Sequence, residues 1–164
     1  MLTWSFSPGL HVDPDSASEY TDFAMAAVIS LRLLEQGDTA VCGLITRATE
    51  TKTGEPDTFL AVGVTHRNTV VVIDVYDPAV DPFFFETDVV DADFYNPQHL
   101  LYVVRGDQLT AFVNGVPVID ELTIPPVEAP STVLAGVNLD RDCVMTGVWA
   151  YGLPSGEADA STGR

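Results

Sequence analysis

Apolar and polar residues alternate with a period of two along most of this chain, which is the spacing of a β-strand whose two faces differ. The run QLTAFV shows the pattern clearly, because Leu109, Ala111 and Val113 fall on one side and Thr110 and Phe112 on the other. We therefore predict an all-β domain of about ten short strands, at the regular spacing typical of β-sandwiches and barrels.

One segment, 22–35, allows two interpretations. It begins with an aspartate and is rich in alanine, as a capped helix would be. Its residues Ile29, Leu31 and Leu33 nevertheless recur at every second position, which favours a strand. Further strands are predicted at 38–50, 57–68, 69–78, 82–94, 99–106, 108–113, 116–122, 131–139 and 143–152, with the last two paired around 140–142.

Two short turns are predicted around the run 108–113. Asn114-Gly115 is the strongest hairpin signal, because both central residues of a type I′ turn need a positive φ. Arg105-Gly106-Asp107 could be an integrin-type adhesion signal or the start of a tight turn between two strands. We favour the turn, because an adhesion signal needs a longer and more mobile loop.

The charge is strongly one-sided, with 24 Asp and Glu against 7 Lys and Arg and a net charge of −17. Such a surface repels nucleic-acid phosphates and anionic membranes, so we expect neither as a partner. No segment reaches the roughly 18 consecutive apolar residues that a membrane span needs. The first residues do not resemble a signal peptide, so the chain is either cytoplasmic or a piece of a larger exported protein.

The two cysteines, Cys42 and Cys143, both lie in apolar strand-like runs. Strands far apart in sequence can be neighbours in a sandwich, so a disulfide is one alternative. Two buried free thiols are the other.

Several motifs in order resemble the concanavalin A-like lectin/glucanase superfamily, over most of residues 2–153. The segment YTDFAMAAVISLRLL followed by Gly43-Leu44-Ile45-Thr46-Arg47 resembles a strand pair of that superfamily. LYVVRGDQLTAFVNGVPVID resembles its hairpin, and STVLAGV with CVMTGVWAYG resembles its closing strands. The likeness is greatest to laminin-G-like members and to a bacterial sugar-hydrolase-like domain.

This resemblance implies a jelly-roll sandwich of two antiparallel sheets. We place that domain at 1–153 and predict a flexible tail at 154–164, because the residues there are small and polar. The resemblance implies fold more than function, because the fold hosts lectins, glycosidases and interaction modules. We expect a non-catalytic module that binds carbohydrate or a partner on a cell surface or in a matrix, in an extracellular protein. The alternatives are an assembly module of a surface layer, filament or particle, and a glycoside hydrolase.

The hydrolase alternative rests on Glu86, Asp88 and Asp91. Laminarinase-type relatives carry a Glu-x-Asp-x-x-Glu strand, in which the two glutamates act as nucleophile and acid/base. Here Asp91 stands where the second glutamate belongs, and its side chain is one methylene shorter. A solvated acidic strand is the alternative explanation for all three residues.

No cofactor is required by the sequence, but calcium is a candidate. Carboxylates are suitable ligands for Ca²⁺, and the loop residues Asp77, Asp81, Asp140 and Asp142 are the predicted donors. The alternative is again a solvated acidic surface.

Exposed aromatic residues are the usual platform for a sugar. The candidates are Tyr95 with its neighbour Asn96, and Trp149 or Tyr151 near the end of the domain. A tryptophan in an apolar strand is more often part of the core, which is the alternative for Trp149.

Overall fold

The computed structural model describes residues 19–20, 22–32, 41–47, 58–126, 131–132 and 143–154. These residues form strands, and no helix among them is long and apolar enough to cross a membrane. The strands are β1 (Glu19–Tyr20), β2 (Phe23–Leu31), β3 (Val41–Thr46), β4 (Phe59–Thr65), β5 (Thr69–Val75), β6 (Phe83–Asp88), β7 (Gln98–Arg105), β8 (Gln108–Val113), β9 (Val116–Thr123), β10 (Ser131–Thr132) and β11 (Cys143–Gly152). The segment that allowed two interpretations is thus a strand, β2.

Most of the strands belong to two antiparallel sheets. The small sheet has the order β3-β4-β5-β6, and the large sheet has the order β11-β2-β7-β8-β9. The short strands β1 and β10 pair with each other. The predicted all-β, two-sheet antiparallel sandwich is therefore confirmed.

The core lies between the two sheets and takes side chains from both. Its largest fully buried side chains include Tyr102, Phe23, Phe94, Met25 and Ile29. The predicted alternation in β8 is confirmed, because Leu109, Ala111 and Val113 are buried while the residues between them are half-buried and face outward. Strand β4 is buried at every position, so the centre of the small sheet is covered on both of its faces.

A disulfide between Cys42 and Cys143 joins the two sheets. The Cα atoms of the two cysteines are 5.4 Å apart although the residues are 101 positions apart in the sequence. Cys42 lies on β3 of the small sheet and Cys143 begins β11 of the large sheet. Of the two alternatives for the cysteines, the structure therefore shows the disulfide and not two free thiols.

Both predicted tight turns are present. Asn114 and Gly115 have φ values of 51° and 79°, and they connect Val113 directly to its pairing partner Val116. The positive φ at both positions is what a type I′ turn requires.

The turn at Arg105-Gly106-Asp107 is short and its backbone is fixed. Gly106 has a φ of 58°, and its N–H donates to Asp22 Oδ1 at 2.8 Å. Its carbonyl accepts a hydrogen bond from Arg47 Nη2 at 3.0 Å. The tripeptide is therefore a tight connection between β7 and β8, as the sequence predicted, and not the tip of a long loop.

The predicted strand 82–94 is wrong beyond Asp88, where β6 ends. The chain leaves the sheet because Asn68 holds the next segment. The N–H of Val89 donates to the Asn68 carbonyl at 2.9 Å, and the N–H of Phe94 donates to Asn68 Oδ1 at 3.3 Å. Asp91, with a φ of 64°, lies in the turn between these two contacts.

The end of the domain is described in part. Strand β11 pairs with β2, and of the predicted strand 131–139 only Ser131–Thr132 is described, paired with β1. The rest of that strand, the first 18 residues and the predicted tail beyond Pro154 lie outside the described residues.

Candidate functional site

Strand β6 forms one edge of the small sheet and presents a mixed outer face. Phe83 and Phe85 are half-buried and pack against the core, whereas Phe84, Glu86 and Asp88 point outward. The Phe84 ring is 59% exposed, which is unusual for a phenylalanine in a strand. An exposed aromatic ring and two carboxylates thus stand in line on the same face.

The Glu86 side chain is held by a chain of hydroxyl groups. Thr69 donates its hydroxyl proton to Glu86 Oε1 at 2.6 Å, and the Thr65 and Thr69 hydroxyl oxygens are 2.6 Å apart. Because the Thr69 proton goes to the carboxylate, Thr65 is the donor in the second bond. The backbone N–H of Arg67 donates to Thr65 Oγ1 at 3.2 Å and completes the chain.

An open recess of about 460 Å³ lies at this corner of the small sheet. We call it the β6 recess, and its lining residues are Arg67, Thr69, Glu86, Thr87 and Asp88. Arg67 and the two carboxylates are exposed, while Thr69 is buried beneath them. The recess therefore offers a cation, hydroxyl groups and carboxylates, which together can both donate and accept hydrogen bonds.

Tyr95 and Asn96, two further candidates from the sequence, lie in a loop that is hydrogen-bonded beside this recess. Tyr95 is 39% exposed, and its N–H donates to Asp93 Oδ1 at 3.1 Å. The Asn96 side chain donates to Asp93 Oδ2 at 2.7 Å, so its amide is occupied within the loop. The loop is attached at Asn68, which stands in sequence between Arg67 and Thr69 of the recess.

The three carboxylates of the hydrolase hypothesis do not share one strand. Glu86 and Asp88 lie on the outer face of β6, while Asp91 lies in the turn that follows. The Glu-x-Asp-x-x-Glu arrangement of the resembling glycosidases places all its carboxylates on a strand, so this chain departs from it at Asp91.

The remaining aromatic candidates lie on the opposite side of the molecule, at the edge of the large sheet. Trp149 and Tyr151 are 45% and 67% exposed, so Trp149 is a surface residue and not a core residue. Their ring centroids are 5.8 Å apart with an interplanar angle of 84°, an edge-to-face pair. The bulge at Gly147, with a φ of 57°, precedes them in β11.

This aromatic pair begins an apolar band that crosses the outer face of the large sheet. The pairing register places one row of the band at Trp149, Ala26, Leu101, Phe112 and Pro117. A parallel row runs through Tyr151, Ala24, Val103 and Thr110. None of these nine described side chains is charged, in a chain whose net charge is −17.

The described residues hold no group of three or more histidine, cysteine, aspartate or glutamate side chains suited to a metal ion. Of the predicted calcium donors, Asp77 accepts a hydrogen bond from the N–H of Ala79 at 2.8 Å and so stabilises its own turn. Asp81 is exposed in the same loop, and Asp140 and Asp142 lie outside the described residues. Calcium binding stays a prediction from the sequence.

A buried polar cluster that the sequence analysis missed lies at one end of the core. Arg47 Nη1 is 4.0 Å from Asp74 Oδ2, and both side chains are buried. Arg47 also donates to the carbonyls of Gly106 and Pro125, at 3.0 and 3.3 Å. The Tyr102 hydroxyl donates to Thr46 Oγ1 at 3.2 Å. The sequence signal for this cluster is Asp74, a single aspartate inside the apolar run TVVVIDV. Judged from its neighbours in the sequence alone, Asp74 would be assigned to the acidic surface.

Burial sets the protonation of this cluster. It raises the pKa of Asp74 from 3.8 to about 6, and the nearby Arg47 guanidinium opposes that rise. Burial likewise lowers the pKa of Arg47 and raises the pKa of Tyr102. The cluster joins the two sheets, because Asp74 belongs to β5 and Gly106 to the turn after β7.

No protein-family model matches the sequence, and neither does any curated protein. Among solved structures the chain is similar to the carbohydrate binding module CBM66 from Bacillus subtilis, with a TM-score of 0.56 and 15% identity over 79% of this chain and 74% of that one. It is similar to sheep galectin-11, with a TM-score of 0.52 and 13% identity over 80% and 90%.

A third likeness is to a mutant sialidase from Trypanosoma rangeli, with a TM-score of 0.52 and 17% identity over 81% of this chain but 21% of that one. At such identities these similarities establish the fold alone. They confirm the predicted jelly-roll sandwich of the lectin-like kind, while the narrower resemblance to concanavalin A-like and laminin-G-like members stays a prediction.

Proposed function

We propose that this protein is a non-catalytic carbohydrate-binding module and that the β6 recess with Phe84 is its binding site. The observation that carries the proposal is the exposed Phe84 ring next to Glu86 and Asp88 on one face of β6. Two of the similar structures are a carbohydrate binding module and a galectin, which supports a ligand of this class.

The chemistry of the site suits a sugar. An aromatic face is electron-rich and attracts the polarised C–H groups on one face of a pyranose ring. Carboxylates accept hydrogen bonds from sugar hydroxyls, and an arginine donates to sugar oxygens. Because Thr69 holds Glu86 in place, less side-chain entropy is lost when a ligand binds.

The charge of the site selects among sugars. Glu86 and Asp88 stand beside the single cation Arg67 in the recess, on a chain with a net charge of −17. An anionic saccharide would be repelled by this field, whereas a neutral one would not. The proposed ligand is therefore a neutral saccharide.

The same residues support hydrolysis less well. Retaining hydrolysis needs one carboxyl that keeps its proton, which burial usually provides. Glu86 and Asp88 are both exposed, and Asp91 lies off the strand. Binding alone requires neither a protonated carboxyl group nor a third carboxylate on the strand.

The proposed setting is outside the cell or at its surface, as part of a larger exported protein. The Cys42–Cys143 disulfide supports this, because disulfides persist in oxidising compartments and are rare in the cytosol. A protein partner on such a surface would fit the same setting.

The test is calorimetric titration of the intact protein with neutral oligosaccharides, and with matched acidic ones. We expect binding of at least one neutral oligosaccharide and a loss of about tenfold in affinity for Phe84→Ala. Tyr151→Ala is the matched control, because it removes a ring of similar exposure from the other sheet and should leave the affinity unchanged.

Two results would count against the proposal. One is that no neutral saccharide binds at millimolar concentration. The other is that Tyr151→Ala weakens binding while Phe84→Ala does not, which would move the site to the large sheet.

A further inference from the structure

The accessible part of the small sheet's outer face is a strip along β6. On this strand the outward side chains Phe84, Glu86 and Asp88 are all exposed. On the neighbouring strand β5 the register places Val71 beside Glu86 and Thr69 beside Asp88, and both of these side chains are buried. The surface that a ligand can touch here is therefore about one strand wide.

The sheet beyond β5 is closed to a ligand as well. On β4 the outward side chains Phe59 and Ala61 form an apolar cluster with Ile45 of β3, and all three are buried. Ile73 of β5, the register partner of Phe84, packs against the same cluster. A ligand that contacts β6 therefore has room along the strand but not across the sheet.

The strip is longer than one sugar unit. Residues of a strand rise by about 3.3 Å each, so Phe84 and Asp88 are about 13 Å apart along β6. A pyranose ring is about as wide as the distance between neighbouring strands, which is about 4.8 Å. One sugar unit stacked on Phe84 therefore cannot also reach Asp88 and Arg67 in the recess.

We infer that the ligand of this site is a linear neutral saccharide of at least three units, bound lengthwise along β6. This inference rests on the proposed function and names the kind of saccharide that the strip accommodates. One unit lies on the Phe84 ring, the next lies over Glu86, and the third lies in the β6 recess at Asp88 and Arg67.

The two ends of the strip recognise a sugar by different chemistry. The Phe84 ring attracts the C–H face of a pyranose, which many sugars share, so this contact adds affinity with little discrimination. In the recess Arg67 donates hydrogen bonds and Asp88 accepts them, so binding there depends on where the hydroxyl groups of the sugar stand. The unit in the recess should therefore set the specificity.

The middle of the strip holds one fixed acceptor. Thr69 donates its hydroxyl proton to Glu86 Oε1 at 2.6 Å, and the Thr69 hydroxyl is itself hydrogen-bonded to that of Thr65. The other carboxylate oxygen of Glu86 can accept a hydrogen bond from the central sugar unit. A fixed carboxylate between the two ends would set the position of the chain along β6.

The first test is calorimetric titration of the intact protein with four neutral series, the cello-, malto-, xylo- and manno-oligosaccharides, each from one to six units. In a series that binds, the affinity should rise by at least about tenfold from one unit to three. If one unit binds as tightly as three, the inference fails while the proposed function stands. If no member of any series binds, the proposed function fails and the inference fails with it.

A double-variant cycle then tests whether Phe84 and Arg67 contact different units. With the trisaccharide of a series that binds, Phe84→Ala should weaken binding by about tenfold and Arg67→Gln by about fivefold. Residues this far apart act independently, so the double variant should lose the product of the two, about fiftyfold. Arg105→Gln, at an exposed arginine on β7 of the large sheet, is the matched control and should leave the affinity unchanged.

A double variant that loses no more than the weaker of the two single variants would overturn the inference, because both side chains would then act on one unit. Such a result would leave saccharide binding at β6 intact. Phe84 and Arg67 are both exposed, so we expect the variants to fold, and circular dichroism checks this. If Phe84→Ala is not folded, Phe84→Leu takes its place, since it removes the ring but keeps an apolar side chain.

Discussion

The outer faces of the two sheets have the same pleated geometry and opposite chemistry. At β6 the small sheet presents Phe84 with two carboxylates, beside a recess with a cation and hydroxyl groups. The large sheet presents two rows of uncharged side chains that begin at Trp149 and Tyr151. The small-sheet face, with its many donors and acceptors, suits a small polar ligand.

The comparison also shows that an exposed aromatic residue does not by itself indicate a sugar-binding site. Phe84, Trp149 and Tyr151 are all exposed. Of these three residues, only Phe84 has carboxylates beside it on its own strand. Trp149 and Tyr151 have alanines of β2 as their neighbours on the adjacent strand. The neighbours across the sheet decide which ring can serve a sugar.

The largest expected effect comes from cutting the covalent link between the two sheets. A disulfide that closes a loop of about 100 residues stabilises the fold by about 4–5 kcal/mol in the chain-entropy account. We expect Cys42→Ser with Cys143→Ser to lower the free energy of unfolding by that amount, measured in guanidinium.

Reduction of the unmutated protein is the control, and it should reproduce the double variant. If both sheets belong to one cooperative unit, the native tryptophan fluorescence and saccharide binding will be lost at the same denaturant concentration. A loss of less than about 1 kcal/mol would contradict the role given to this bond.

The second prediction concerns the buried cluster between the two faces. The pKa of Asp74 is raised from 3.8 to about 6 by burial, so the folded protein holds this proton more tightly than the unfolded chain. Its contribution to stability is therefore complete below about pH 4 and is lost as the pH rises through 6. The rise in the pKa of Asp74 from 3.8 to about 6 corresponds to about 3 kcal/mol in the free energy of unfolding.

Asp74→Asn should remove this part of the pH dependence. The drop in the free energy of unfolding between pH 4 and pH 7 should become smaller by up to about 3 kcal/mol in the variant. The measurement is urea unfolding at both pH values. Asp88→Asn, an exposed acid on β6, is the control and should keep the slope of the unmutated protein. If the free energy of unfolding falls by the same amount between pH 4 and pH 7 in Asp74→Asn and in the unmutated protein, this pH dependence does not come from Asp74.

The smallest effect is expected from the hydroxyl chain under the β6 recess. Thr69→Val keeps the shape of the side chain but removes the donor to Glu86 and the acceptor for Thr65. We expect a loss of about 1 kcal/mol in stability and a loss of a few-fold in saccharide affinity.

Thr146→Val is the matched control on the large sheet, where the threonine is exposed in β11. It should change stability by less than about 0.5 kcal/mol and leave saccharide affinity as it was. The prediction is wrong if the two valine variants change stability and saccharide affinity by the same amounts.

Much of the fold could be predicted from the sequence. The strand character of β2, the alternation in β8 and the turns at Gly106 and Asn114 all follow from spacing and turn chemistry. The end of β6 could not be predicted, because the chain leaves the sheet through contacts to Asn68, some 20 residues earlier.

The candidate site was foreseen in part. The spacing of Glu86 and Asp88 predicts that they share one face of a strand, and they do, because residues two apart on a strand point the same way. Phe84 was missed, although the same spacing puts it on that face. Its exposure depends on β6 being an edge strand, which local sequence does not reveal.

The sequence by itself determined the local geometry of this protein, because the backbone pleat and the turn residues act over a few positions. The tertiary structure decided which distant residues meet. The band joins residues from Ala24 to Tyr151, and the core polar cluster joins Arg47 to Asp74 and Gly106. Such encounters depend on the order of strands in the sheets and on their register, which burial of the whole core selects and no short stretch of sequence contains.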